Sequence, residues 1–320
     1  MPVIAMVSRL NAEQQAAVRI VCSDAVELLD FSDDRAGLAA RGAPADIVYG
    51  RVKPEELPHL PNLRWIHATW TGIENMLYPA MKERVAQGVV LTNTRGQNAQ
   101  AMSEHLVGAL LYLARDFGAF YRASQAGQWK AAAEPVRLRG SRALVLGVGA
   151  IARVAVPLLV NLGLRLRGVN STGRPAHGVS EMYRLDAVRA HLADVDWLIS
   201  LMPATGHTHH CIDEAFLRGL KRGAGVVNLS RGAVLDQNAL LKCIDDGQLC
   251  GAVLDVTEPE PPPADSPLFR HPKVLLTGHQ SPRPFDETGE AFAVFLHNLG
   301  CWLKEDLGGL RNRVDFAKGY

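Results

Sequence analysis

Residues 141–174 read SRALVLGVGAIARVAVPLLVNLGLRLRGVNSTGR, and the order of patterns in this stretch decides the class of the fold. Ala143 to Leu146 form a short apolar strand, a helix follows from about Ile151, and a second strand runs from Leu164 to Val169. This succession predicts two parallel strands that are joined by a crossover helix.

The turn between the first strand and the helix carries Gly147, Gly149 and Ala152 in the pattern GxGxxA. Gly147 suits a tight turn, Gly149 lets a pyrophosphate approach the backbone, and Ala152 lets the helix lie close to the strand. The helix N-terminus offers unpaired N–H groups and the positive end of its dipole to phosphates. The turn therefore predicts a dinucleotide-binding unit, and the alternative is a plain strand, turn and helix with tight packing.

The end of the second strand indicates which dinucleotide is bound. A site for NAD would place Asp or Glu there to hold the ribose 2'-hydroxyl, but the position holds Asn170. Ser171, Thr172 and Arg174 follow it and could bind a 2'-phosphate through hydroxyl groups and a guanidinium. NADP(H) is therefore the preferred cofactor and NAD(H) remains possible, unless VNSTGRP is merely a polar turn.

Short β-branched runs alternate with longer alanine- and leucine-rich segments on both sides of this unit, which predicts an α/β protein with parallel sheets. Strands in PVIAMVS, ADIVYG, LRWIHAT and VVLTNT form a first unit, and one long helix over residues 101–129 leads to a second strand and helix series. The helical tail AFAVFLHNLGCWLKE is expected to pack back on the first unit. The prediction is a discontinuous domain of residues 1–100 and 286–320 and a second domain of residues 101–285.

The composition of the chain limits the kinds of binding partner that are expected. The chain has 320 residues, which exceeds one typical core, and its 34 basic and 33 acidic side chains nearly balance. This balance gives no reason to expect a nucleic acid or a membrane as partner, so small solutes are favoured. Five cysteines without a CxxC pair indicate reduced thiols. With neither a signal-peptide pattern nor a long apolar span, a cytoplasmic protein is expected.

Three histidines, His207, His209 and His210, cluster in the segment TGHTHHC. The segment lacks the spaced carboxylate or cysteine companions that build a metal site, so no metal is predicted.

Charged and titratable groups follow three further strands. Arg231 comes just after the strand Gly225 to Leu229, Asp255 ends the next strand, with Glu260 among the prolines after it, and His279 follows the apolar run VLLT. Ligands of an open parallel sheet collect outside the carboxyl ends of its strands. The pattern therefore predicts that these groups meet in one crevice.

The motifs GxGxxA, NLSRG, LDVTEPEP and TGH, with AMSEHLVGALLYLAR ahead of them, resemble the D-isomer-specific 2-hydroxyacid dehydrogenase family over nearly the whole chain. The STGR turn and the closing VDFAKGY resemble its glyoxylate/hydroxypyruvate reductase branch most. The resemblance implies a Rossmann domain with a doubly wound parallel sheet, a smaller flavodoxin-like substrate domain, closure of the two domains, and a homodimer.

The resemblance also implies roles for single residues. Arg231 matches the substrate arginine, His279 the proton donor, and Glu260 the acid that supports the histidine. These roles agree with the chemistry of the side chains. A guanidinium can pair with a 2-oxoacid carboxylate, and a histidinium can protonate the carbonyl oxygen, which becomes negative during hydride transfer. The residues that match the cofactor site are Gly147, Gly149, Ala150, Ile151, Asn170, Ser171, Thr172, Arg174, Met202, Pro203, Thr208, Leu229 and Asp255. Those that match the substrate loop are Trp70, Thr71, Gly72 and Ile73.

Some of these matches have a structural alternative, and the chain departs from the family in places. Asp255, which matches a residue near the nicotinamide carboxamide, could instead be a helix or turn cap, and Met202 could be a core residue. Gly278 stands where the family usually has proline, and Thr257 where an aromatic is common. Arg283 either meets a second anionic group of the substrate or is a solvated loop charge.

The predicted function is reduction of a small 2-oxoacid to the D-2-hydroxyacid, with NADPH preferred over NADH. Two alternatives stay open. One is a non-catalytic, dinucleotide-sensing protein that resembles a corepressor, and the other is a dehydrogenase of the same family that acts on another acid.

Overall fold

The computed structural model describes residues 1–130, 133–282 and 289–316. Contacts divide the chain into two compact units, one of Met1–Gln97 with Asp286–Tyr320 and one of Asn98–Phe285. The strands are β1 (Val3–Met6), β2 (Glu27–Asp30), β3 (Ile47–Tyr49), β4 (Trp65–His67), β5 (Val90–Thr92), β6 (Arg142–Leu146), β7 (Arg165–Val169), β8 (Glu181–Tyr183), β9 (Trp197–Ser200), β10 (Ala224–Asn228), β11 (Leu249–Leu254) and β12 (Val274–Leu276). The helices are α1 (Ala12–Val21), α2 (Gly37–Arg41), α3 (Pro79–Ala86), α4 (Ala99–Ala114), α5 (Phe117–Gln125), α6 (Ala150–Asn161), α7 (Glu214–Gly219), α8 (Gln237–Asp245) and α9 (Gly289–Leu303).

The first unit is built on a parallel sheet in the order β2-β1-β3-β4-β5, which is the flavodoxin-like order. The last helix packs on this sheet. Phe295 of α9 stacks on Trp65 with ring centroids 5.5 Å apart and contacts Tyr49 in a tilted arrangement at 4.7 Å. Phe295 and Trp65 are fully buried. Helix α9 therefore completes the core of the first unit.

The second unit holds a parallel sheet in the order β12-β11-β10-β9-β6-β7-β8. Counted from β6, its first strand, this is the order of the Rossmann fold with one further strand at the β12 edge. The order reverses between β6 and β9, so the crevice for ligands opens at the carboxyl ends of these strands. The predicted fold class, two α/β domains with a Rossmann sheet and a flavodoxin-like sheet, is confirmed.

The prediction of one helix over residues 101–129 is wrong. The segment forms two helices, α4 and α5, which are separated at Asp116. Asp116 adopts a left-handed conformation with φ of 51°, and its carboxylate accepts a hydrogen bond from the N–H of Ala119. This N-cap starts a new helix, and the apolar periodicity of the segment does not reveal the break between the two.

Among the described residues, no helix combines the length and the apolar character that crossing a bilayer requires.

Candidate active site

The glycine-rich turn after β6 is shaped for close approach. Gly147 has φ of 97°, and a Cβ there would lie 2.7 Å from the backbone of Leu201 and Met202, so only glycine fits. Gly149 is the N-cap of α6, and no described atom lies within 4 Å of the position that its Cβ would take. The N-terminus of a twelve-residue helix therefore faces open space beside β9. These features fit the pyrophosphate of a dinucleotide.

The turn after β7 is organised by the side chain of Asn170. Its Oδ1 accepts hydrogen bonds from the N–H groups of Thr172 (3.0 Å) and Gly173 (2.6 Å), and its Nδ2 donates to the carbonyl of Arg174 (3.0 Å). Asn170 thus holds the turn in shape, while Ser171, Thr172 and Arg174 are exposed on it. The turn presents hydroxyl and guanidinium groups without a carboxylate at the position where NAD sites carry one.

A second guanidinium lies next to this turn. A Cβ on Gly173 would stand 3.4 Å from Cγ of Arg184, so the stem of Arg184 lies against the turn. The exposed head of Arg184 is 3.3 Å from a carboxylate oxygen of Asp186. Sequence reasoning missed Arg184 because it follows β8, a strand that was not among those predicted.

The turn after β9 contains Met202, Pro203 and Thr208, which all match the cofactor site. The hydroxyl of Thr208 donates to the carbonyl of Pro203 (2.8 Å) and accepts from the N–H of Thr205 (2.7 Å). Thr208 therefore closes the turn. Met202 is buried and belongs to the core, as the structural alternative proposed, and Pro203 is exposed.

Arg231 follows β10 on a backbone that buried side chains hold in place. Nδ2 of Asn228 donates to the carbonyl of Arg231 (3.1 Å), and Oδ1 of Asn228 accepts from the hydroxyl of Ser230 (2.7 Å). The hydroxyls of Ser230 and Ser200 lie 2.8 Å apart, which ties this loop to β9. Leu229, also matched to the cofactor site, is buried beside this network. The network fixes where the guanidinium of Arg231 can reach.

His279 and Glu260 form a hydrogen-bonded pair. Nδ1 of His279 lies 2.5 Å from Oε1 of Glu260, and the other carboxylate oxygen is 3.4 Å from the backbone N of Thr257. An ionised carboxylate only accepts, so Nδ1 carries the shared proton and Nε2 is left for a substrate. Both side chains are about half exposed, which leaves the pair accessible. The hydroxyl of Thr257 donates to the carbonyl of Pro259 (2.9 Å) and supports the loop of Glu260.

The loops of Arg231 and Glu260 touch each other. A Cβ on Gly232 would lie 2.0 Å from the carbonyl oxygen of Thr257 and 2.6 Å from the backbone N of Glu258, so the two backbones are in direct contact. The strands that precede Arg231, Glu260 and His279 are the neighbours β10, β11 and β12. The structure thus brings the three predicted groups to one edge of the second sheet.

Asp255 supports the His279 loop. Oδ1 accepts from the hydroxyl of Thr277 (2.5 Å) and the N–H of Gln280 (2.9 Å), while Oδ2 accepts from the N–H of Ser281 (3.1 Å). The carbonyl of Asp255 also accepts from the N–H of His279 (2.6 Å). Burial raises the pKa of Asp255, but the hydrogen bonds from this loop outweigh it and hold the pKa below its usual value. Asp255 therefore caps the turn that carries His279, which is the structural alternative that the sequence allowed for this residue.

The predicted substrate loop follows β4 in the first unit. Trp70, Thr71 and Gly72 are partly exposed, and the carbonyl of Thr71 accepts a hydrogen bond from Nδ2 of Asn93 (2.8 Å). The side chain of Ile73 is buried in the core, so only its backbone is available to a ligand. Arg283 lies outside the described residues.

The expectation that the histidine cluster lacks a carboxylate companion is wrong. Glu258, distant in sequence, places Oε2 2.8 Å from Nε2 of His210 and Oε1 3.7 Å from Nε2 of His209. His207 is not part of this group. The sequence did not predict this carboxylate because Glu258 reaches the histidines through a contact between segments that are distant in the chain.

Comparison with known proteins agrees with this geometry. The family model described as "D-isomer specific 2-hydroxyacid dehydrogenase, NAD binding domain" matches residues 107–281, more than half of the chain. The chain is 30% identical to glyoxylate reductase of Korarchaeum cryptofilum over 78% of its length and 75% of the relative. It is 31% identical to glyoxylate/hydroxypyruvate reductase A of Salmonella paratyphi B over 87% of its length and 88% of the relative.

A solved structure from Aeromonas salmonicida, described as a D-isomer specific 2-hydroxyacid dehydrogenase family protein, superimposes with a TM-score of 0.83. It is 28% identical, and the match covers 98% of this chain and 99% of that one. The resemblance read from the motifs is confirmed. The chain belongs to the D-isomer specific 2-hydroxyacid dehydrogenase family.

Proposed function

We propose that this chain reduces a small 2-oxoacid of the glyoxylate or hydroxypyruvate type to the D-2-hydroxyacid and prefers NADPH as hydride donor. The observation that carries the proposal is the His279–Glu260 pair at the same sheet edge as Arg231. The names of the Korarchaeum and Salmonella relatives support this class of substrate.

The proposed mechanism assigns one task to each group. When bound, the cofactor supplies the hydride. The guanidinium of Arg231 pairs with the substrate carboxylate and polarises the adjacent carbonyl. His279 donates a proton from Nε2 to the oxygen that becomes negative, while Glu260 holds Nδ1 and orients the ring. The carbonyl carbon gains the hydride, the oxygen gains the proton, and the product is a 2-hydroxyacid.

The residues around α6 and β7 fit the cofactor. Gly147, Gly149 and the N-terminus of α6 would hold the pyrophosphate. Ala150 and Ile151 begin the helix at that point. Arg174 and Arg184 would hold the 2'-phosphate, because two exposed guanidinium groups border the Asn170 turn.

A single assay tests substrate and cofactor together. The absorbance loss of NADPH and of NADH is followed separately against a panel of 2-oxoacids that includes glyoxylate and hydroxypyruvate. We expect turnover with these two acids and a KM for NADPH at least about tenfold below that for NADH, because hydrogen bonds to charged groups contribute roughly 1.5 to 3 kcal/mol. Tenfold preference for NADH would contradict the cofactor assignment, and turnover only with other acids would contradict the substrate class.

The same assay on the Arg174→Ala variant tests whether Arg174 is responsible for the preference for NADPH over NADH. The KM for NADPH should rise about tenfold while the KM for NADH stays near the wild-type value. Arg222→Ala is the matched control, because Arg222 is exposed just before β10, at the opposite edge of the sheet. An equal rise for both cofactors in Arg174→Ala would refute a contact with the 2'-phosphate.

We also propose that the protein is a homodimer that associates through the region around α5. Phe117, Phe120 and Tyr121 share one face of α5 and are 50%, 47% and 67% exposed, and Trp129 beyond the helix is 97% exposed. Large apolar side chains exposed on one helix face mark an interaction surface.

Sedimentation measures the proposed association. We expect a species of twice the 34.7 kDa chain mass. Introducing two charges with Phe117→Asp and Tyr121→Asp should give monomers, because an unpaired charge is costly to bury. Ile20→Asp is the control, since Ile20 is also exposed but lies on α1. A monomeric wild-type protein, or a double variant that remains dimeric, would disprove this surface.

A further inference from the structure

Three side chains that the proposed reaction does not use come together on the second unit. His209, His210 and Glu258 each offer one ligand atom, and these atoms all lie within 4.8 Å of one another. Two imidazoles and one carboxylate form a ligand set that zinc accepts in proteins. The two histidines come from the turn after β9 and the glutamate from the loop after β11.

The distances suit one small ion. Two ligand atoms at about 2.0 to 2.1 Å from a tetrahedral ion lie roughly 3.3 Å apart. Nε2 of His210 lies 2.8 Å from Oε2 of Glu258, and Nε2 of His209 lies 3.7 Å from Oε1, so each imidazole approaches a different oxygen of the same carboxylate at a distance near that value. The two imidazole rings are stacked, with centroids 4.1 Å apart and an angle of 23° between planes. The Nε2 atoms of both rings are the ring nitrogens that approach Glu258, and binding of one ion would require the stacked rings to rotate so that both nitrogens point at it.

The backbone beneath these ligands is anchored. The N–H of His210 donates to the carbonyl of Ala233 (2.8 Å), and the carbonyl of Glu258 accepts from Nε2 of Gln237 (2.5 Å). The backbone of Gly232 also packs against the backbone of Thr257 and Glu258, which restrains the loop that carries Glu258. Ligands held on fixed loops lose less conformational freedom when an ion binds.

We propose that His209, His210 and Glu258 bind one divalent transition-metal ion of the zinc or nickel class, with water in the remaining position. Imidazole ligands select such ions, whereas magnesium and calcium prefer oxygen ligands alone. Glu258 stands two residues before Glu260, so a bound ion would also restrain the loop that carries the partner of His279. The test of this site requires neither the proposed substrate nor the cofactor.

Calorimetric titration of the chelator-treated protein with zinc tests the site. We expect one zinc ion per chain and a higher melting temperature in its presence. His209→Ala and Glu258→Gln should each weaken zinc binding at least roughly tenfold and remove the thermal shift. Both side chains are exposed, and the melting temperatures of the metal-free variants show whether the fold is kept.

Two controls separate this site from adventitious binding. His207→Ala removes an exposed histidine of the same segment that lies outside the cluster and should bind zinc like the wild-type protein. Magnesium should produce neither heat nor a thermal shift. The proposal is overturned if zinc does not bind, or if His209→Ala and Glu258→Gln bind it as tightly as the wild-type protein does.

Discussion

Replacing His279 with glutamine is expected to lower kcat for reduction of the preferred 2-oxoacid by roughly two to four orders of magnitude. Glutamine can still donate a hydrogen bond to the substrate carbonyl, but it cannot transfer a proton to the oxygen as the hydride arrives. The hydrogen bond of 2.5 Å to Glu260 holds the ring through Nδ1, which leaves Nε2 for the proposed proton transfer. Steady-state kinetics at saturating NADPH measure the loss.

The origin of that loss can be separated from damage to the fold. NADPH binding, followed by fluorescence titration, should stay near the wild-type value, because the proposed mechanism assigns the nitrogen of His279 to the substrate and not to the cofactor. His59→Gln is the matched control, since His59 is an exposed histidine of the first unit and should keep full activity. Turnover at the wild-type rate in His279→Gln would remove His279 from the mechanism.

Replacing Arg231 with alanine should lower kcat/KM by roughly two to three orders of magnitude, the range found when one group that stabilises developing charge is removed. The proposed mechanism gives the guanidinium two tasks, to pair with the carboxylate and to polarise the carbonyl, so both substrate binding and the chemical step should weaken. Kinetics over a range of substrate concentrations measure kcat and KM separately.

Lysine at the same position refines this expectation. Arg231→Lys keeps the positive charge but loses the planar fork, so it should recover only part of the activity of the wild-type enzyme. Nη1 of Arg231 donates one hydrogen bond to the carbonyl of Ser230 (2.8 Å), which the alanine variant loses. The hydrogen bonds among Asn228, Ser230 and Ser200 and to the carbonyl of residue 231 are made by other groups and should remain intact in both variants. Melting temperatures check this. Equal activity of the lysine variant and the wild-type protein would show that charge alone suffices.

The chain is an oxidoreductase of the D-2-hydroxyacid dehydrogenase type, and much of this follows from local sequence signals. The turn of Gly147 and Gly149 was predictable because steric demands at a phosphate-binding turn allow few residues there. Arg231 and His279 could be placed because parallel strands bring their carboxyl ends to one edge. Such signals act within a few residues of a strand end.

Contacts between distant segments could not be predicted from the sequence. Glu258 meets His209 and His210 only because the loops after β9 and β11 approach each other, and no spacing encodes that contact. Strand β8 was missed since an edge strand such as EMY, half exposed, carries no apolar run, and Arg184 was missed with it. The capping role of Asp255 depends on the shape of the 277–281 loop, which the folded chain alone defines.

Gly278 and the residue after it both have left-handed backbone conformations, with φ of 62° and 59°. Proline is locked near a φ of about −65° and cannot adopt the backbone conformation of Gly278. Gly278→Pro would therefore force the loop that holds His279 into a different backbone path, so the position of the imidazole depends on glycine at residue 278.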